Sequence, residues 1–539
     1  MTRRSGHTWP DRGVFYQIYP RSWADTDGDG IGDLPGIVSR LDYLQWLGVD
    51  GVWLNPIMPS PQADWGYDVA DYRDVDPAYG SLEDLDRLTH EVHGRGLRLL
   101  LDLVPNHTSD RHPWFVESRA SRSSPRRDWY VWADPSADGG PPNNWTAALG
   151  GGSAWQWDEA TGQFYLHSFL KEQADLNWWN PEVRTAFDEI IRFWLDRGVD
   201  GFRVDVVHAL IHDRHLRGNP PAGPDDHPEI ARLGQRPVYN LNRPEVHDIL
   251  RRWRRLVDGY TPPRLLVGET ALFDLADVIP YFGEDSDELD LAFNFPFIFS
   301  PFTAPELAAH VEVTERLLPE HAWATWTGSN HDAGRFPTRW CRDDRRCTAC
   351  ALVLLLALRG TPFLYYGDEL GMGDVDVPRE RLLDPAGVLQ WPAYPGRDRC
   401  RTPMQWSAAA GAGFTTPAAE PWLPLGDHVT INAERQRDDP ASPLRLTRRL
   451  LGLRRRSVDL RVGSYERVAL DGSLWAWRRG AGTLVALNLA EEAATLPAAA
   501  LPAPRARVAV ATDPGREGDI LNGTVRLGPW EGLIAEALG

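Results

Sequence analysis

The sequence predicts an α/β fold: a (β/α)8 TIM barrel with a small domain inserted after its third strand and an all-β domain at the C-terminal end. Short apolar runs alternate with runs of helical spacing, which is typical of a parallel sheet. Eight strand-like runs precede residue 457. Eight parallel strands are the number that closes a TIM barrel. They begin near Val14, Gly51, Leu97, Gly201, Leu265, Leu289, Ala322 and Pro362.

The helices between the first strands are predicted from their hydrophobic pattern. Apolar residues at helical spacing over residues 37–47 predict one helix after the first strand. A second helix is predicted over residues 81–92, because Glu83 follows Gly80 by three residues in the manner of a helix start signal.

Two irregular segments and one change of pattern define the domains. Residues 107–174 lose the alternation and are rich in Trp, Gly, Pro and Asp, so they are expected to be an inserted domain. Residues 371–443 are rich in Pro and Gly and form an insertion after the eighth strand. The barrel then comprises residues 1–106 and 175–457, and short alternating runs over residues 458–539 predict a C-terminal β-sandwich.

The composition limits the partners of this chain. It has 76 acidic and 57 basic residues and a formal net charge of -19, which argues against nucleic acids and anionic membranes and favours a small neutral substrate. No signal peptide is evident, and the longest apolar run, residues 351–358, is too short to cross a bilayer. We therefore expect a cytoplasmic protein; its oligomeric state is not predicted. The four cysteines make no disulfide framework and are expected to be helical core thiols: Cys341, Cys347, Cys350 and Cys400.

The strand-like segment GFRVDVVH at 201–208 carries the first candidate for chemistry. Arg203 and Asp205 lie two residues apart and therefore on one face of a strand. A neighbouring arginine keeps a carboxylate ionised, as a carboxylate nucleophile requires. The alternative interpretation is a structural ion pair at the edge of a core strand.

Three other strand ends carry matching side chains. His107 follows the third strand, Glu269 ends the run LLVG, and His331 with Asp332 follows an aromatic run. Since the C-terminal ends of barrel strands meet at one face, we expect these groups to lie together.

These four segments, in this order, resemble the four signature regions of the α-amylase superfamily (glycoside hydrolase family 13), and the resemblance covers residues 14 to 406. It implies that Asp205 is the nucleophile, Glu269 the general acid and base, and Asp332 the third catalytic carboxylate, with retention of anomeric configuration. Because Glu269 has no basic neighbour in sequence, desolvation is expected to keep it protonated. His107 and His331 would donate to the sugar ring.

Two further segments resemble the α-glucosidase and oligo-1,6-glucosidase branch. In the segment DWGYD at 64–68, Asp64 would hold the terminal glucose and Tyr67 would stack beneath it. Arg401 would face Asp64 and close the pocket, which predicts exo action. The segment EQADLN at 172–177 resembles the fifth signature, with Ala174 in place of the usual proline. The predicted substrate-binding residues are Asp64, Tyr67, His107, Phe169, Arg203, His331 and Arg401.

The segment DTDGDGIGD at 25–33 predicts a metal site. At alternate positions the segment has Asp25, Asp27, Asp29, Ile31 and Asp33. The four aspartates would bind through their carboxylates and Ile31 through its main-chain carbonyl. Hard oxygen ligands suit a structural Ca²⁺, with Mg²⁺ as an alternative ion and a solvated acidic turn as the alternative interpretation. An EF-hand is not expected, because no bidentate glutamate follows. The segment also resembles the calcium loop of the same branch. No organic cofactor is expected.

The sequence therefore predicts an exo-acting, retaining α-glucosidase that releases terminal glucose from short α-glucosides, with transfer to other acceptors as a further reaction. Signals for linkage conflict: Val206 resembles enzymes that cut α-1,6 bonds, whereas Thr270 and Ala271 after Glu269 resemble α-1,4 enzymes. Maltose-type substrates are favoured. The alternatives are an oligo-1,6-glucosidase, a glucosyltransferase or sucrose-active enzyme, and a non-catalytic transporter-associated subunit.

Overall fold

A computed structural model describes residues 13–149 and 151–538, and it confirms the predicted barrel. Its strands are β1 (Phe15–Ile18), β2 (Gly51–Leu54), β3 (Arg98–Leu103), β4 (Gly201–Val204), β5 (Leu265–Gly268), β6 (Leu291–Ala292), β7 (Thr325–Thr327) and β8 (Thr361–Tyr365). All their pairings are parallel, in the order β6-β5-β4-β3-β2-β1-β8-β7. The two end strands of this sheet, β6 and β7, are also in contact, because the Thr325 hydroxyl of β7 donates to the Ala292 carbonyl of β6 at 2.7 Å.

The barrel strands are apolar on both faces because both faces are buried. Side chains that point inward, such as Phe15, Trp53 and Phe363, form one cluster inside the barrel. Their neighbours in sequence pack outward against the helices and form the main core. Gly51 has no space for a side chain, since an added Cβ would lie 2.7 Å from the Phe15 ring.

The helices fill the connections as expected, with two local differences. Residues 37–47 belong to two helices that break at Arg40, whose guanidinium donates to the Gly413 carbonyl at 2.9 Å and lies over the Trp406 ring. Ser81 caps its helix together with Asp84 and not with Glu83. The α-helices are Leu34–Ser39, Leu41–Leu47, Leu82–Gly94, Pro113–Arg119, Pro181–Asp196, Pro228–Leu233, Val246–Val257, Leu275–Val278, Phe295–Ile298, Ala304–Leu317, Phe336–Arg339, Arg345–Ala357, Pro385–Gln390, Ala433–Asp438, Pro443–Arg456 and Val458–Val462.

The segment after β3 forms a small antiparallel unit beside the barrel. Its three-stranded sheet consists of Trp132–Ala133, Gln163–Leu166 and Trp155–Asp158. At its base, His107–Ser109 pairs with Gln173–Asp175. This pairing brings the end of the insertion back to His107.

The C-terminal region is antiparallel, as predicted, although its first residues, Val458–Val462, are helical. Its strands are β9 (Tyr465–Asp471), β10 (Leu474–Arg479), β11 (Thr483–Asn488), β12 (Ala494–Leu496), β13 (Ala506–Ala511), β14 (Ile520–Leu521), β15 (Val525–Leu527) and β16 (Glu531–Ala537). Six of them form the sheet β9-β10-β11-β16-β13-β14, and β12 pairs with β15. Both sheets enclose a separate apolar core.

The prediction that all four cysteines are free thiols is wrong for two of them. Cys341 and Cys347 form a disulfide, because the turn between the helices Phe336–Arg339 and Arg345–Ala357 brings their Cα atoms to 5.3 Å. Cys350 and Cys400 are buried free thiols. Within the two described ranges, every helix is too short or too polar to span a bilayer.

Candidate active site

Arg203 joins three carboxylates at the C-terminal ends of β3, β4 and β5. Its Nη1 donates to Asp102 Oδ1 at 2.7 Å and to Asp205 Oδ1 at 2.5 Å. Its Nη2 lies 2.7 Å from Glu269 Oε2. Burial acts to lower the pKa of Arg203, but Asp102 and Glu269 raise it well above its ordinary range, so the side chain stays charged. The predicted nucleophile and acid/base therefore meet at one cation.

Asp205 is almost fully buried, and its neighbours shift its pKa in opposite directions. Burial raises the pKa of Asp205, Arg203 lowers it, and Glu269 and Asp102 raise it further, so that it lies well above that of an ordinary aspartate. The next residue, Val206, has φ 33° and ψ 46°, a left-handed conformation that is unfavourable for a β-branched side chain. The strained turn lets the Val206 N–H donate to Glu269 Oε2 at 2.9 Å.

Glu269 has no basic neighbour in sequence, but it has one in the fold. Its carboxylate is buried, but it contacts the Arg203 guanidinium and the Val206 N–H. Sequence reasoning missed this pairing because Arg203 belongs to the neighbouring strand and lies 66 positions before Glu269 in the chain (269 − 203 = 66). Arg203 therefore fixes the position of this carboxyl group next to Asp205.

Asp332 lies opposite this group, after β7, and is the most accessible of the three predicted catalytic carboxylates. Its Oδ1 accepts from Arg397 Nη1 and Arg401 Nη2, both at 3.1 Å, and His331 Nε2 lies 2.9 Å from Oδ2. Burial acts to raise the pKa of Asp332, but His331, Arg397 and Arg401 hold it well below its ordinary range. Asp332 is thus a fixed negative charge that faces the pocket.

The predicted pairing of Asp64 with Arg401 is wrong, because Asp64 pairs with Arg397. Arg397 Nη2 donates to Asp64 Oδ1 at 2.6 Å and to Asp384 Oδ1 at 2.6 Å, while its Nη1 contacts Asp332. Arg401 Nε instead donates to the His331 carbonyl at 2.8 Å. A turn of 3-10 helix, Asp398–Cys400, separates the two arginines and directs both toward Asp332. The sequence did contain a signal for this pairing, since Arg397 lies four residues, about one helical turn, before Arg401.

Tyr67 and His331 form the floor between these two groups. Their rings stack at 5.2 Å, and the Tyr67 hydroxyl contacts His331 Nε2 at 2.6 Å and donates to Asp102 Oδ2 at 2.9 Å. Gln17 Nε2 lies 2.9 Å from His331 Nδ1, so Nδ1 is placed to accept and Nε2 to donate. Burial raises the pKa of Tyr67 well above its ordinary value, so it remains a neutral donor.

His107 and Phe169 lie on the side of the pocket formed by the inserted segment. The His107 ring lies 5.3 Å from the half-buried Phe169 ring, and burial lowers the pKa of His107. Gln173 Nε2 contacts His107 Nε2 at 3.0 Å and donates to Asp64 Oδ2 at 3.1 Å. Gln173 thus connects this wall to Asp64.

The acidic loop after β1 brings three of its four aspartates together. One carboxylate oxygen from each of Asp25, Asp27 and Asp29 lies within 4.8 Å of the others. Asp33 is not in this group. Its oxygens accept from Gly36 N–H at 2.6 Å and from Thr26 N–H at 2.8 Å, so it caps the helix that follows. The Ile31 N–H donates to Asp29 at 2.7 Å.

This loop also contacts the segment that carries Arg397 and Arg401. Asp25 N–H donates to the Phe414 carbonyl at 2.8 Å. Gly30 has φ +90°, and an added Cβ would lie 2.1 Å from the Glu420 carbonyl. Within the described ranges, no basic side chain pairs with Asp25, Asp27 or Asp29. Three converging carboxylates with no basic partner suit a hard cation.

The fold and these strand-end carboxylates define a glycoside hydrolase, and the chain belongs to the α-amylase family. Residues 17–463 match the family described as "Alpha amylase, catalytic domain".

Curated relatives match over almost the whole chain. It is 42% identical over 542 residues to a probable alpha-glucosidase of Rhizobium meliloti (strain 1021), covering 98% of this chain and 97% of the relative. It is 38% identical over 525 residues to an oligo-1,6-glucosidase of Heyndrickxia coagulans, covering 90% and 92%.

Solved structures match equally well. An alpha-glucosyl transfer enzyme has a TM-score of 0.91 at 42% identity, covering 98% of this chain and 99% of that one. The trehalulose synthase MutB from Pseudomonas mesoacidophila MX-45 has a TM-score of 0.89 at 33% identity, covering 98% and 100%.

Proposed function

We propose that this protein is an exo-acting, retaining α-glucosidase that removes terminal glucose from the non-reducing end of short α-glucosides. The observation that carries the proposal is the contact of Asp205 and Glu269 with one guanidinium, opposite a pocket end occupied by Asp64, Arg397 and Asp332. Two carboxyl groups held by the two ends of one guanidinium suit the short separation, about 5–5.5 Å, of retaining glycosidases.

In the first step, Asp205 Oδ attacks the anomeric carbon of the terminal glucose while the bond to the leaving oxygen breaks. Glu269 supplies the proton to that oxygen. The contact of Arg203 Nη2 with Glu269 Oε2 at 2.7 Å holds this carboxyl group in place beside the nucleophile. Arg203 keeps its contacts with Asp205 and Asp102 and so preserves the orientation of the nucleophile.

In the second step, Glu269 removes a proton from an acceptor, and the acceptor oxygen displaces Asp205 from the anomeric carbon. Water gives hydrolysis, whereas a sugar hydroxyl gives transglucosylation. The relation to both alpha-glucosidases and an alpha-glucosyl transfer enzyme supports a capacity for both reactions.

Exo action rests on the far wall of the pocket. Arg397 bridges Asp64 and Asp332, and its third partner, Asp384, has no solvent exposure. Charge-assisted hydrogen bonds from this wall would hold the terminal hydroxyls of one glucose and leave no passage for a longer chain. Maltose-type substrates remain the favoured ones, with isomaltose-type substrates as the alternative.

A structural Ca²⁺ would be held by Asp25, Asp27 and Asp29, with Mg²⁺ as the alternative ion. When bound, it would neutralise three carboxylates and stiffen the loop against residues 414–420. The ion would contribute to the stability of the fold and not to the reaction, because the loop is separate from the strand ends that hold the proposed catalytic carboxylates.

Two variants test the assigned roles. Asp205→Asn should lose turnover on maltose and on α-glucosyl fluoride, since the nucleophile serves every substrate. Glu269→Gln should lose maltose hydrolysis but still form the glycosyl-enzyme from α-glucosyl fluoride, whose leaving group needs no proton. Added azide should then yield the α-glucosyl azide from Glu269→Gln and the β-anomer from Asp205→Asn. Glu172→Gln, a nearby carboxylate outside the reaction, is the control and should stay active. The same azide anomer from both variants would contradict the assignment.

A further inference from the structure

A fully buried arginine lies at the end of the turn that carries His331 and Asp332. The turn leaves β7 after Thr327, and Arg335 is its last residue before the helix Phe336–Arg339. Arg335 has no solvent exposure, so a substrate in the pocket cannot touch it. An arginine is almost never fully buried in a protein unless it is paired. The contacts of this side chain therefore call for a role.

Arg335 attaches the turn to the end of β8 and to the segment that follows it. Its Nη1 donates to the Tyr366 carbonyl at 2.6 Å, and its N–H donates to Asp374 Oδ1 at 2.8 Å. The guanidinium also lies over the rings of Tyr365 and Tyr366, 4.7 and 4.6 Å from their centroids. Because a cation is attracted to the face of an aromatic ring, these contacts fix the end of the turn against β8.

The same two tyrosines hold the segment that carries Arg401. Their hydroxyls donate to the Cys400 carbonyl at 3.1 Å and to the Thr402 carbonyl at 2.7 Å. These two carbonyls flank Arg401, whose Nη2 donates to Asp332 Oδ1 at 3.1 Å. Through two rings, the buried guanidinium therefore connects the turn that holds Asp332 with the segment that holds its cationic partner.

Stability of the fold does not account for this side chain. In the part of the chain that the structure describes, its Nε and Nη2 have no hydrogen-bond partner, and no carboxylate lies within 4.0 Å of its guanidinium. Arg335 acts on the buried Asp368 without pairing with it: burial raises the pKa of Asp368 to about 7, although Arg335 acts to lower it. Apolar side chains of similar volume often replace buried charges without loss of stability. What Arg335 contributes is therefore the placement of its neighbours.

We propose that Arg335 is a positioning residue that keeps Asp332 and Arg401 at hydrogen-bond distance from each other. It acts through Asp332, because it touches neither the substrate pocket nor the two reacting carboxylates. This role rests on the proposed function, in which Asp332 belongs to the wall that holds the terminal glucose. Without the guanidinium, the turn and the segment lose their common support, and misplacing a substrate-binding group by about 1 Å can lower catalysis about 100-fold.

Two replacements of Arg335 and one matched control test the role. Arg335→Met removes the donor and the charge but keeps an unbranched side chain, and it should lower kcat/KM for maltose at least about tenfold in folded protein well below its Tm. Arg335→Lys keeps a cation near the two rings and should recover part of this loss. The control is Arg454→Met, since Arg454 is also buried and donates to the Leu356 and Leu358 carbonyls, which precede β8 at the end of the barrel opposite the pocket. It should lower the Tm and keep kcat/KM within about twofold of the natural protein.

A double-mutant cycle separates positioning from a general effect on the fold. The substrate is α-glucosyl fluoride, whose good leaving group keeps slow variants measurable. In the Asp332→Asn background, Arg335→Met should cost less than about threefold, because the group it positions is already impaired. Arg335→Lys serves in the same cycle if the methionine variant does not fold.

Three results bear on the proposal in different ways. An equal loss on replacing Arg335 in both backgrounds would overturn it, and so would full activity of folded Arg335→Met. A natural protein without activity on maltose or α-glucosyl fluoride would instead overturn the proposed function, and this result is distinguishable because it needs no variant.

Discussion

Replacing Arg397 with alanine removes the cation that holds the far wall of the sugar pocket. Arg397 contacts Asp64 at 2.6 Å, Asp384 at 2.6 Å and Asp332 at 3.1 Å. Two of these carboxylates are proposed to touch the substrate, and a charge-assisted hydrogen bond contributes about 1.5–3 kcal/mol. We expect the loss of orientation to lower kcat/KM by about 100-fold, equivalent to roughly 3 kcal/mol of transition-state stabilisation.

The same change should also destabilise the fold, because Asp384 and Asp64 are buried. Leaving a buried charge without its partner costs about 3–5 kcal/mol. Arg397→Lys keeps the charge but cannot reach three carboxylates, so it should restore much of the Tm and little of kcat/KM. Arg399→Ala, two residues away and paired with Asp374, is the control.

The assay is hydrolysis of maltose and of p-nitrophenyl α-glucoside at temperatures well below each variant's Tm. Both substrates should be affected alike, because the wall is proposed to contact only the terminal glucose. A kcat/KM for Arg397→Ala within about threefold of the natural enzyme, in folded protein, would refute the role given to this wall.

Two other properties can be measured independently. Burial raises the pKa of Asp205, and the ionised form of this residue is the active one. The value of kcat/KM should therefore fall as the pH drops through that raised pKa, at a pH above the ordinary aspartate range. Asp102→Asn removes a carboxylate that raises this pKa, so it should move this fall to lower pH; a fall at an unchanged pH would contradict the electrostatic account. Chelation of divalent ions should lower the Tm before it changes kcat at low temperature, and Asp27→Asn should abolish the effect of chelation. Asp33→Asn should lower the Tm but keep sensitivity to chelation, whereas loss of that sensitivity would place Asp33 among the ligands.

The fold and the near side of the site could be predicted because they follow from local patterns. Each barrel strand is an apolar run, and each candidate catalytic side chain stands at the end of such a run, as Asp205 and Glu269 do. Parallel pairing then brings neighbouring strand ends together without further information. Even so, the contact between Arg203 and Glu269 depends on the directions of two side chains, which sequence spacing alone does not determine.

The far side of the site could not be predicted, since it comes from a segment without periodic structure. Arg397 reaches Asp64 across 333 positions of sequence through a short turn that has no hydrophobic pattern. Likewise, alternate spacing predicted that Asp33 lies beside the other three aspartates of its loop, but hydrogen bonds from Thr26 and Gly36 place it outside their cluster as a helix cap. The break at Arg40 likewise coincides with a contact to a distant residue, Gly413.

The central claim, an exo-acting enzyme that retains configuration, is tested most directly by one time-resolved NMR measurement of maltotetraose hydrolysis. Before mutarotation, the reaction should release glucose as the α-anomer together with maltotriose, because a closed pocket admits one residue and two displacements restore the configuration. Maltose as the main early product would mean a cleft open at both ends. Early β-glucose would mean a single displacement, and either result would contradict the account.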